Sequence, residues 1–263
     1  MANKYKKSAS SLSTDLFGLN FSCPIGAGPG YDTNASKYNS LSPCSFVESG
    51  PFYPCEPPNL DHLSFLKRRK AKKSALPSVK TAIARIQSHP PKSLILANIA
   101  PLPTHIECSA VTEDLLTSFT LLYDFVDMFV IDTFRKNNDG VAPLQSLEFL
   151  SETVDEILDM RLCYEKNKAI FLRITDDFPD QSLPGLLDYM MYSGIDGIIV
   201  GQDGNPLEKV VKVREITRDR YPIIACGDLD PEAADALFAQ EVKLLETNRR
   251  SARRILSHLT DKK

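Results

Sequence analysis

The side chains able to do chemistry recur at one kind of place, near the end of a short apolar run. Asn98 falls in Leu94 to Ile99, Asp132 in Met128 to Thr133, and Arg173 in Ala169 to Thr175. Gly227 and Asp228 follow the run that starts at Pro222, and Glu246 and Thr247 close the one that starts at Val242. A carboxamide both donates and accepts, which suits the edge of a flat heteroaromatic ligand, while a carboxylate accepts protons. His105, after the third apolar run, adds an imidazole that titrates near neutrality, although an ordinary loop histidine is the competing reading. The turn Gly26-Ala27-Gly28-Pro29-Gly30 lacks Cβ atoms where backbone would approach a ligand; a tight strand-to-helix turn explains it equally.

Eight such runs are present: Cys23 to Gly28, Ser45 to Ser49, Leu94 to Ile99, Met128 to Thr133, Ala169 to Thr175, Gly197 to Gly201, Pro222 to Gly227 and Val242 to Thr247. Several are continuously hydrophobic, as strands covered on both faces must be. Helical spacing separates them, with Leu115, Phe119, Leu122 and Val126 on one stripe and Leu147, Leu150, Val154, Ile157 and Leu158 on another. Asn205-Pro206 and Asp230-Pro231 mark helix starts, and Ala252, Ile255, Leu256 and Leu259 form the last stripe. Eight strands alternating with helices in 263 residues predict a (β/α)8 TIM barrel, with residues 1–263 as one domain. In that fold all the run ends converge over one mouth, so they share a site; a polar upper layer in a packed interior is the alternative. The segment 15–21 reads as a short N-terminal β-hairpin turning at Gly18 and capping the barrel bottom.

A formal charge of -3 gives no overall field toward polyanions. The cluster from Lys67 to Lys73, inside a long loop expected over 51–77, lacks interleaved aromatics and reads as a solvated segment, so nucleic acid is not an expected partner. Residues 1–12 read as a flexible end with neither a signal peptide nor a membrane anchor. Six cysteines without a C-x-x-C pair argue for reduced thiols, a cytoplasmic protein and no metal.

The segment Leu16 to Asn34, with Phe46-Val-Glu-Ser-Gly50, Leu96-Ala-Asn-Ile99, Phe129-Val-Ile-Asp132, Asn137 to Gly140, Gly194 to Val200 and Tyr221 to Gly227, resembles the FMN-dependent dihydroorotate dehydrogenases. The resemblance is ordered and nearly full-length. It implies a flavoprotein oxidoreductase of pyrimidine biosynthesis, with Ala27, Gly28, Asn98, Arg173, Gly227 and Thr247 toward FMN and Asn137 toward substrate. The chain also departs from that pattern. Asp132 replaces an asparagine, Arg135 replaces the family's proton acceptor, and Arg173 replaces a lysine. The loop after the sixth strand is cut to Asp203-Gly-Asn-Pro206, and Asp228 replaces the second glycine of a phosphate-facing pair.

Because arginine is not a base at ordinary pH, these changes predict a non-catalytic or repurposed barrel, with FMN or no cofactor and a small-molecule ligand or protein partner. The alternative is an active FMN-dependent oxidoreductase, converting dihydroorotate to orotate with Asp132 or His105 as base. A homodimer is compatible with either.

Overall fold

The computed structural model describes residues 12–41, 43–56, 75–133, 143–218 and 221–262. Arg135, Asn137, the 67–73 cluster and the first eleven residues lie outside the described residues.

Eight parallel strands close into a barrel: β3 (Ile25–Asp32), β4 (Phe46–Phe52), β5 (Leu94–Ile99), β6 (Met128–Asp132), β7 (Ala169–Ile174), β8 (Gly197–Val200), β9 (Ile223–Cys226) and β10 (Leu244–Thr247). All eight expected runs form strands, and β10 pairs with both β9 and β3 to seal the ring. The outer layer holds seven α-helices among the described residues: α1 (Val79–Ser88), α2 (Cys108–Leu122), α3 (Leu147–Arg161), α4 (Leu183–Ser193), α5 (Leu207–Thr217), α6 (Pro231–Ala239) and α7 (Arg249–Asp261). Leu115, Phe119, Val154, Ile157 and Ile255 are fully buried between helices and sheet, as the 3.6-residue spacing requires.

Between β3 and β4 the expected helix is replaced by a 3-10 turn, Tyr38–Ser40. The segment 33–40 is rich in asparagine and serine, and the buried Asp32 carboxylate binds it locally. That carboxylate accepts from the backbone N–H groups of Ser36, Lys37 and Tyr38 at 2.8, 3.0 and 3.1 Å, and from Ser49 Oγ at 2.9 Å. Such side-chain bonds compete with helix formation. β4 also runs to Phe52, three residues beyond the expected strand end, so the long connection starts later.

The N-terminal hairpin pairs β1 (Thr14–Leu16) with β2 (Leu19–Phe21) through Phe17 and Gly18, both with positive φ. That backbone twist suits a two-residue hairpin turn. Phe17 sets its ring edge on Phe171 at 5.0 Å, and Phe21 does the same on Phe46 at 5.6 Å. The bottom of the interior is therefore plugged with aromatic rings, above which Leu96, Met128, Val130, Ile199 and Ile224 complete the packed inside. Only the upper end is polar.

Candidate active site at the barrel mouth

Strand alternation puts Glu48, Asn98, Arg173 and Glu246 in one layer at the mouth. The guanidinium of Arg173 is fully buried and spans the barrel. Its Nη1 donates to Glu48 Oε1 at 2.7 Å, and its Nη2 donates to both Glu48 Oε2 and Glu246 Oε2, the latter at 2.9 Å. Asn98 Nδ2 donates to Glu48 Oε1 at 2.7 Å. Asp132 pairs in register with Arg173, and register partners share a face, so its carboxylate belongs to the same interior side at the top of β6.

Burial pushes the Glu48 carboxyl up, but the charge and hydrogen bonds of Arg173 and the Asn98 amide outweigh it and hold it below the ordinary value. Glu246 goes the other way: burial first, then the neighbouring Glu48 charge, drive it well above the carboxylate range. The Arg173 guanidinium thus stands between two carboxyls pushed in opposite directions, Glu48 down and Glu246 up. Three of its fully buried polar atoms have no hydrogen-bond partner among the described residues: Asn98 Oδ1, Arg173 Nε and Glu246 Oε1. Orphaned groups of this kind carry a desolvation cost that a ligand or water relieves.

His105 stands in the loop after β5. Its Nδ1 lies 2.7 Å from Asp114 Oδ2. Because a carboxylate only accepts, Nδ1 carries the proton and Nε2 is left as the acceptor in the neutral ring. Asp114 Oδ2 also accepts from the Leu102 N–H at 2.7 Å, so the pair ties the loop to α2.

On the side of β3, β9 and β10 a small cavity of about 70 Å³ is lined by Gly28, Tyr31, Asp203, Gly227, Asp228 and Thr247, among others. Two of its backbone donors are already engaged. Gly227 N–H donates to the Glu246 carbonyl at 3.0 Å, and Asp228 N–H to the Gly204 carbonyl at 3.2 Å. Gly204 O sits 2.0 Å from where a Cβ on residue 227 would stand, so this glycine is required by the loop packed on it. At the start of α7, Ser251 N–H donates to Asn248 Oδ1 at 2.8 Å. The Asp228 carboxylate accepts from the Asn248 amide and from Ser251 Oγ.

Of the residues expected from sequence, Asn98, Arg173 and Asp132 meet in the mouth layer, while Gly28, Gly227 and Thr247 border the adjoining cavity. Ala27 packs among the outer apolar side chains and offers only backbone. Two residues were missed, Glu48 and Asp114. Glu48 had a visible signal, a carboxylate in phase with inward-facing Phe46 in an otherwise apolar run; Asp114 had none, since an acidic residue on an amphipathic helix looks solvated.

An eight-stranded parallel barrel with its polar layer at the strand C-termini is the architecture of barrel enzymes. The chain is 27% identical over 269 residues to the dihydroorotate dehydrogenase (quinone) of Christiangramia forsetii, covering 90% of this chain and 78% of that protein. It is 27% identical over 250 residues to the same-named protein of Nautilia profundicola, covering 83% and 68%. Among solved structures, ligand-free dihydroorotate dehydrogenase from Eimeria tenella superposes with a TM-score of 0.80 over 97% of this chain and 88% of that one, at 17% identity. No family model matches the chain. The chain is thus similar to dihydroorotate dehydrogenases along most of its length.

These relatives correct the expectation of a non-catalytic, repurposed barrel: proteins it matches along most of its length carry the name of an enzyme. The physical reason is that replacing one base by Arg135 does not empty the mouth of proton acceptors. Asp132 and the His105–Asp114 pair both stand on its strand-end side.

FMN, which the resemblance implies, divides into two halves against these residues. The ring edge fits, because Asn98 Oδ1 and Arg173 Nε offer a buried acceptor and donor without partners. The phosphate does not fit. Barrel phosphates sit at the loops after the seventh and eighth strands and a helix N-terminus; here the Gly227, Asp228 and Ser251 N–H groups are taken and Asp228 sets a carboxylate at the same wall. At 4 Å such a pair costs about 1 kcal/mol in water and about 4 kcal/mol near a protein surface.

Proposed function

We propose that this chain is an oxidoreductase that oxidises dihydroorotate to orotate in the barrel mouth, with Asp132 as the proton acceptor. The observation that carries this reading is a carboxylate at the top of β6, on the face of the buried Arg173, in a chain similar to named dihydroorotate dehydrogenases over 90% of its length.

The oxidation removes a hydride and a proton from neighbouring ring carbons of the substrate. A flavin ring, when bound, supplies the hydride acceptor. Asp132 takes the proton, from its place at the top of β6 on the interior face it shares with Arg173. Glu48 orients the Asn98 amide by accepting from Nδ2, which leaves Oδ1 for a donor on the bound ring. Glu48 and Glu246 hold Arg173 rigid, so that Nε presents a donor at one place.

No helix among the described residues is long and apolar enough to cross a membrane. All six cysteines are free thiols, which supports a reducing, cytoplasmic setting. The reading is tested by adding dihydroorotate anaerobically to the flavin-loaded full chain. Bleaching of the flavin band with formation of orotate is expected; an unchanged spectrum overturns the proposal.

A further inference from the structure

We infer that the mouth selects a flavin without a phosphate, the riboflavin class, over FMN. The inference rests on the flavin-dependent reading above and concerns the opposite end of the same ligand.

A phosphate needs unengaged N–H donors or a cation, and around the cavity between β3, β9 and β10 three backbone N–H groups are taken while two carboxylates line the wall. The Gly227, Asp228 and Ser251 N–H groups already donate to Glu246 O, Gly204 O and Asn248 Oδ1. Asp228 and Asp203 both line the cavity. Arg249 and Arg250 open α7, but they are exposed and are not among the lining residues. What the cavity offers instead is acceptors. The hydroxyls of a neutral polyol tail donate to carboxylates, whereas a phosphate dianion is repelled by them. The Tyr31 hydroxyl adds a neutral polar group at the same wall. The buried orphans of Asn98, Arg173 and Glu246 supply the second, independent sign of a ligand, at the ring end.

The test is a pair of fluorescence-quenching titrations of the full chain, one with riboflavin and one with FMN. Riboflavin is expected to bind at least about tenfold more tightly. Asp228→Asn is expected to raise FMN affinity by about fivefold or more while changing riboflavin affinity by less than about twofold. Asp203→Asn serves the same comparison, in the same direction, should Asp228→Asn not fold. FMN binding as tightly as riboflavin overturns the inference and leaves the flavin reading standing. Quenching of neither flavin overturns the flavin reading, and the inference with it.

Discussion

Arg173 of β7 binds Glu48 of β4 with both terminal guanidinium nitrogens, across the interior of the barrel. Their strands are not neighbours in the ring, so the contact braces opposite walls at the height where the mouth begins. Both side chains are essentially free of solvent. The pair is therefore a floor for the site as well as a cross-member of the scaffold.

Breaking this pair on one side leaves a charge buried without its partner. Such losses cost about 3–5 kcal/mol, whereas removing both partners costs less. Arg173→Met is expected to lower unfolding stability by about that amount, and Glu48→Gln in the Arg173→Met background to recover part of it. Urea unfolding of both variants checks this; a double variant less stable than Arg173→Met overturns it.

Glu246 makes stability depend on pH in a stated direction. Its folded carboxyl holds its proton well above the ordinary value of 4.5. Between those two values the unfolded chain releases a proton that the folded chain keeps, so stability falls as pH rises, by at most about 1.4 kcal/mol per pH unit. Glu48 has the opposite sign. Its lowered folded value gives stability present above 4.5 and lost as pH falls through the folded value. Glu246→Gln is therefore expected to flatten the decline in urea midpoint as pH rises above 4.5. A variant that declines as steeply as the unaltered chain counts against the buried neutral carboxyl.

The barrel was legible because parallel strands covered on both faces leave uninterrupted apolar runs, and 128–132 and 197–200 are such runs. The helix start at Asp230-Pro231 was equally plain, and the Asp230 side chain caps Ala233 N–H as its type predicts. The missing first helix was harder, since it depends on Asp32 accepting three backbone bonds rather than on any periodicity. The site was legible only as a list of strand ends. That Arg173 would be consumed by two carboxylates follows from a contact between residues 125 positions apart, which no local pattern encodes.

Gly201 follows β8 with φ +90, and a Cβ there would stand 2.4 Å from the Cys226 carbonyl and 2.7 Å from the Pro206 ring. An alanine meets both a strained backbone and a wall of main chain. Gly201→Ala is expected to cost about 2–4 kcal/mol, since left-handed strain alone accounts for about 1–3 kcal/mol. Thermal unfolding reads this out; a shift within about 1 °C shows that the loop to Pro206 yields freely.

Asp132 and His105, the two candidate proton acceptors, stand in different places. His105 is tied through Nδ1 to Asp114, and that carboxylate also fastens Leu102, so the pair works as a clasp on the loop after β5. Asp132 shares its face with Arg173 at the top of the interior, where a substrate ring would lie over the polar layer. Loss of a positioned base lowers turnover by about 10²–10⁴. Asp132→Asn is accordingly expected to reduce kcat into that range with KM nearly constant, in dihydroorotate oxidation followed with a soluble dye as electron acceptor. His105→Gln is expected to leave kcat within about threefold, because its imidazole is held by Asp114 of α2 and fastens the loop. The reverse ordering of the two variants moves the base to His105 and removes Asp132 from the chemistry.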